Sequence, residues 1–151
     1  MPELQTASIL IRSHDYIIQP ESRTSTGLWI VDEPIQVIEC DAPTVVVGKA
    51  VRLALNGSRD GVDSPKDWRT LLAPLLKVAG VRSWDALQRS SRLCEVEATC
   101  EVIRVMPSQN GGAVGPNKGF HTLREKAITL IPNSTDEEIG DAVRRASELC
   151  C

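Results

Sequence analysis

Five cysteines and two histidines are the side chains of this 151-residue chain best suited to covalent or metal chemistry. A thiol becomes a strong nucleophile when a neighbouring base takes its proton. Cys94 or Cys100 beside His121, or beside His14 with Asp15, would make such a pair. Nothing in the spacing requires it. Cys94, Cys100 and His121 can also be imagined around zinc, but the two cysteines lack the tight turn that preorganises paired thiolates. Cys40, Cys150 and Cys151 complete an odd count with no Cys-x-x-Cys pair. That usage points to reduced thiols and away from a disulfide framework. No catalytic residue, metal or cofactor is assigned on these grounds.

Two other motifs lead nowhere chemically. The stretch Gly112 to Gly119 superficially evokes a phosphate loop, which needs Gly-Lys-Ser/Thr opening a helix directly after a strand. Here Pro116 and Asn117 intervene and an extended segment follows, so a mobile connection between strands is expected. The acidic residues are scattered, and no two carboxylates stand at a spacing that requires acid/base work.

These residues must be positioned by short strands and a few helices. Ser8 to Arg12 and Tyr16 to Ile18 read as a bent pair of strands broken at Ser13-His14-Asp15, and Pro20 to Gly27 as a polar loop. Leu28 to Asp32 and Ile35 to Glu39 follow as strands around a bend at Glu33-Pro34. Apolar residues then recur at helical spacing from about Pro43 to Leu55, with Asp41 placed to cap, and Ser58 to Val62 reads as a charged loop. Ser64 and Asp67 form a capping box before Trp68, Leu71, Leu72, Leu75 and Leu76, where Pro74 must kink the helix or begin another. In Ala79-Gly80-Val81-Arg82-Ser83-Trp84-Asp85, Gly80 is expected to end one helix and Ser83 to cap the next. Arg92 to Glu97 and Cys100 to Met106 alternate as strands, with Cys94, Val96 and Ala98 on one face. Ala127 to Ile131 is a further strand. A final helix is capped by Ser134 with Glu137 and carries Ile139, Ala142, Val143, Ala146 and Leu149 as its apolar stripe. Val47-Gly-Lys-Ala-Val-Arg-Leu-Ala54 echoes Ile139-Gly-Asp-Ala-Val-Arg-Arg-Ala146, and Gly48 and Gly140 are expected to let each helix approach its sheet closely.

The predicted architecture is therefore α+β: one globular domain, residues 1–151, with a mixed or antiparallel sheet flanked by helices. No run is long and apolar enough for a membrane helix, and the N-terminal stretch lacks a basic start followed by an apolar core. A cytoplasmic protein with no membrane partner is expected. A net charge of −3 with five aromatics argues against direct nucleic-acid binding. It suits a binder of a basic protein.

The order of motifs resembles one group of immunity proteins from bacterial contact-dependent growth inhibition systems. The likeness is carried by Arg23-Thr-Ser-Thr-Gly27 before a strand, a following helix and the Gly80-x-x-Ser83-Trp84 joint. Two strands then end near a proline at Arg104-Val-Met-Pro107, and Phe120, Ile128 to Pro132 and Glu138-Ile-Gly-Asp-Ala-Val143 follow. It spans about Pro20 to Leu149. The resemblance implies a non-enzymatic antidote that binds the toxic C-terminal domain of a delivered effector, often a nuclease. Asp32, Glu33, Asp60, Asp63 and Asp67 are the candidate toxin face, because exposed carboxylates can mimic phosphates. The rival readings are a small cytosolic cysteine-dependent enzyme and an adaptor domain of a larger complex.

Overall fold

Ser13 and His14 are short polar residues between two apolar β-branched runs, and there the chain turns back on itself, with Arg12 N–H donating to Asp15 O at 2.9 Å. In the computed structural model, which describes residues 2–151, this turn joins β1 (Gln5–Ile11) to β2 (Asp15–Thr24). Their antiparallel register sets Ile9 opposite Ile18 and Ala7 opposite Pro20. β3 (Trp29–Val31) and β4 (Gln36–Glu39) pair in turn along the far edge of β2. Helix α1 (Thr44–Gly57) follows, then β5 (Asp60–Val62), which runs parallel to the end of β2. Short helices α2 (Ala73–Ala79) and α3 (Trp84–Arg89) lead to the hairpin β6 (Arg92–Ala98) and β7 (Ile103–Asn110). β8 (Phe120–Thr122), β9 (Ile128–Leu130) and α4 (Asp136–Glu148) complete the described chain. The sheet is curled, with the order β3-β2-β1-β6-β7-β8 and β9 also on β7. Among the described residues it is mixed only through β5, and every other pairing is antiparallel. The α+β class is as the sequence implied.

Several local expectations change. Pro20 to Thr24 is strand, because its polar side chains find partners: Ser22 Oγ–H donates to Asp32 at 2.6 Å, and Thr24 Oγ1 accepts Leu28 N–H at 3.0 Å. A buried hydroxyl that is hydrogen-bonded costs little. Part of the charged stretch Ser58 to Val62 is also strand, held where the Asp60 carboxylate accepts from Nε and Nη2 of Arg23. Asp67 caps only a 3-10 turn over Trp68–Thr70, and Pro74 starts α2. β7 passes through Pro107 to Asn110, and Pro107 stands where its outer neighbour changes from β9 to β8. Gly80 ends α2 at φ 69°, and Ser83 caps α3, as the sequence implied.

The echo between α1 and α4 acquires a different meaning. The two helices cross each other, and their glycines face one another's backbones. A Cβ at Gly48 would stand 1.6 Å from Asp136 O, and one at Gly140 would stand 2.0 Å from Thr44 O. The glycines therefore allow a close helix–helix approach, where the sequence pointed to a helix–sheet approach. The echoed arginines complete the exchange. Arg52 donates to Asp136 Oδ1 and Ser134 O at the start of α4, while Arg144 donates to Thr44 Oγ1 and Ala42 O at the start of α1. Neither Asp41 nor Ser134 is a cap: Pro43 precedes α1 without a side-chain bond, and Thr135 Oγ1 accepts Glu138 N–H.

This helix pair covers one face of the sheet. Ala7, Ile9, Ile11, Tyr16, Ile18, Cys94, Val96, Ile103 and Val105 meet Val47, Val51, Ile139 and Val143 there. Each large side chain so buried contributes about 1.5 to 3 kcal/mol of transfer free energy. A smaller cluster on the opposite face packs Leu10 and Ile17 under Leu75, Leu87 and the partly buried Trp84 and Phe120, whose rings meet edge to face at 6.2 Å.

Candidate functional site

Acidic side chains on a helix or strand edge are normally either solvated or matched by the chain's own cations. The candidate carboxylates divide along that line. Asp32 pairs with Arg59 at 3.0 Å, and Asp60 with Arg23 at 2.8 Å. Burial opposes ionisation of Asp32, but hydrogen bonds from Ser22, the Glu33 N–H and Arg59 outweigh it and hold its pKa below the usual range. The Arg23 fork likewise lowers Asp60. Asp67 is held low by Arg69 and by capping Arg69 N–H. Asp32, Asp60 and Asp63 come together around Arg59 in a groove of about 480 Å³, which Gly61 and Val62 of β5 also line. Glu33 sits beside Asp32, in a separate cleft with Pro65 and Leu71, and Asp67 lines neither. Of the five, Glu33 and Asp63 make no ion pair among the described residues.

The structure does not assemble the cysteine chemistry. Cys94 lies in the core, its Sγ 3.7 Å from Cys150 Sγ, and His121 Nε2–H donates to Asn117 O at 2.8 Å. The hydrogen bond to Cys150, together with burial, pushes the Cys94 thiol up and keeps it protonated. Cys100 is exposed in the β6–β7 turn. Among the described residues, no three His, Cys, Asp or Glu side chains converge as metal ligands. The glycine-rich stretch is tied into a closed loop: Gly111 N–H donates to Gly119 O, Gly119 N–H to Gly112 O, and Gln88 Nε2 to Gly112 O at 2.7 Å.

A set of polar residues that sequence reasoning passed over lies inside the curl. On the face opposite α1 and α4, side chains form rows across the strands. The first row, Ile17, Leu10 and Leu93, is covered by α2 and α3. The next is Gln19, Ser8, Glu95 and Met106, and the third is Glu21, Thr6, Glu97 and Arg104. Beyond it, Arg23 stands over the Trp29 ring at 5.9 Å. Burial, reinforced by the nearby Glu95 charge, pushes Glu21 up to about 7 despite support from Ser8. Glu95 is raised by burial as well, against a hydrogen bond from Thr122. The sequence offers one partial signal, the alternation in Arg92-Leu-Cys-Glu-Val-Glu-Ala98. That signal covers only one face: the alternation of Cys94, Val96 and Ala98 reads as a half-buried strand with solvated carboxylates, and the enclosure of Glu95 comes from strands elsewhere in the chain.

No helix among the described residues is long and apolar enough to cross a membrane. No curated protein matches the chain. Solved structures share its fold, among them the two that follow. A Neisseria meningitidis protein of unknown function superposes with a TM-score of 0.79 at 21% identity, covering 98% of this chain and 96% of that one. A chain from a CdiA-CT/CdiI toxin and immunity complex of Yersinia pseudotuberculosis superposes with a TM-score of 0.80 at 17% identity, covering 99% of each. The family model described as CdiI, the CDI immunity protein, matches residues 5–150, from the first residue of β1 to just past α4, and the chain belongs to that family of toxin-neutralising immunity proteins.

Proposed function

We propose that the protein acts in the cytoplasm by stoichiometric binding to the toxic C-terminal domain of one cognate effector, with no catalytic step and no cofactor. The observation that carries this reading is the family match across nearly the whole chain. It is supported by the Yersinia relative of the same fold, which is described in complex with a CdiA-CT toxin. The net charge of −3 suits a basic toxin domain, a nuclease among the fitting classes.

Asp32, Glu33, Asp60, Asp63 and Asp67 remain our candidates for the approaching face, with unequal parts. Asp32, Asp60 and Asp67 already hold arginines, so Glu33 and Asp63 supply the uncompensated charge that speeds encounter. The test is co-purification with the C-terminal domain of the effector encoded beside it, followed by titration calorimetry. One-to-one binding with a submicromolar Kd is expected. No association at high micromolar concentration would overturn the reading.

A further inference from the structure

Most enclosed carboxylates of this chain have their own arginine: Asp15 with Arg12, Asp32 with Arg59, Glu97 with Arg124 and Asp136 with Arg52. Glu21 and Glu95 break that pattern. They flank β1 on adjacent rows of the inner face, close enough for each charge to oppose the other, and among the described residues neither pairs with a lysine or arginine. Their hydrogen-bond support is two hydroxyls, Ser8 for Glu21 and Thr122 for Glu95, and the one cation acting on Glu95, Arg124, is already paired with Glu97.

Gln19 adds an independent sign. It is 2% exposed and lies two residues before Glu21 on the same face of β2. Its Nε2 donates to Ser8 Oγ at 3.3 Å, while its Oε1 is buried with no hydrogen-bond partner among the described residues. Buried acceptors left unmatched are uncommon in folded proteins and costly. Here two carboxyl groups and a carboxamide oxygen gather with a shortage of donors. The missing component is a cation that brings several N–H groups. A lysine ammonium has three and an arginine guanidinium five.

We infer that Glu21, Glu95 and Gln19 form an acceptor site for one basic side chain, lysine or arginine, that the toxin partner inserts into the curl of the sheet. This rests on the proposed binding function. The nearest opening lies past the end of the Glu21 row. There a groove of about 780 Å³ is lined by Arg23 and Trp29, two residues beyond Glu21 on β2 and on its neighbour β3, by the N-terminal Pro2, Glu3 and Leu4, and by Ser58, Arg59 and Asp60, whose carboxylate is already matched by Arg23. Met106, beside Glu95 in its row, supplies an apolar wall for the methylene stem of the incoming residue. The carboxylates therefore hurt the free protein and serve the complex, the trade expected of a binding site.

That trade gives the test a signature which a structural role lacks. Titration of the cognate toxin domain into Glu21→Gln/Glu95→Gln is expected to show binding at least 30-fold weaker than wild type, with a thermal midpoint unchanged or raised. Failure of the wild-type protein to bind would overturn the proposed function. Wild-type binding matched within threefold by the double variant would overturn this inference alone. If the double variant does not fold, each single variant enters a double-mutant cycle against every lysine and arginine of the toxin. A coupling of tenfold or more to one basic residue supports the site, and coupling below twofold to all of them overturns it.

Discussion

The two faces of the sheet are made by the same four central strands, yet they are finished by opposite rules. Against α1 and α4 the chain supplies everything it needs. Gly48 and Gly140 admit each other's backbone, Arg52 and Arg144 bind each other's helix start, and the side chains between are apolar. On the other face only the row of Ile17, Leu10 and Leu93 is capped by helices, and the rows beyond it carry Gln19, Glu21 and Glu95. A fold closes its own face with matched contacts, and a face kept for a partner carries groups the chain itself leaves unmatched.

The largest expected effect comes from breaking the closed face. Gly48→Val and Gly140→Val place atoms within 2.0 Å of a carbonyl oxygen, so each should cost about 3 kcal/mol or more in urea unfolding. If either costs less than about 1 kcal/mol, the helices are not locked as described. On the opposite face, Trp84→Ala removes the edge contact with Phe120 and part of the small cluster. Because Trp84 is only partly buried, the expected loss is about 2 kcal/mol, below that of a full core truncation.

Glu21→Gln should move stability the other way. The folded pKa near 7 lies above the unfolded value of 4.5, so the folded state keeps a proton that the unfolded chain has lost. Stability from this group is complete below pH 4.5 and is lost as pH rises through 7. The variant should therefore gain about 1 to 2 kcal/mol over wild type at pH 8 and nothing at pH 4, read by denaturant unfolding at both. A variant less stable at pH 8 would remove the distinction between the faces. The smallest effect belongs to the exposed acids: Glu33→Lys/Asp63→Lys should leave stability within about 0.5 kcal/mol and slow toxin association several-fold at low salt.

Much of the frame on both faces was legible because it depends on period and on local caps. The alternation around Cys94, the stripe from Ile139 to Ala146, the Gly80 terminator and the Ser83 cap are local signals, and each stands where the spacing put it. The polar stretch from Pro20 to Thr24 was illegible as strand, since Ser22 and Thr24 are buried only because Asp32 and Leu28 return to them from later in the chain. The helix–helix role of Gly48 and Gly140 likewise depends on a contact about ninety residues away in sequence. The enclosed carboxylates were hidden for a related reason. Glu95 and Glu97 look alike in the sequence, and only the pairing of β6 with β1 and β7 sets one beside Met106 and the other beside Arg104 and Arg124.

Masking of a toxin and chemical destruction of it differ most sharply in stoichiometry. The deciding measurement is the residual activity of a fixed amount of the cognate toxin domain as this protein is added in increasing ratio and given time to equilibrate. A linear fall that reaches zero at one immunity protein per toxin, with full activity recovered when the complex is dissociated, is the result expected of a binder. Complete and irreversible loss at a ratio well below one would show turnover and contradict the account, as would full toxin activity at tenfold excess.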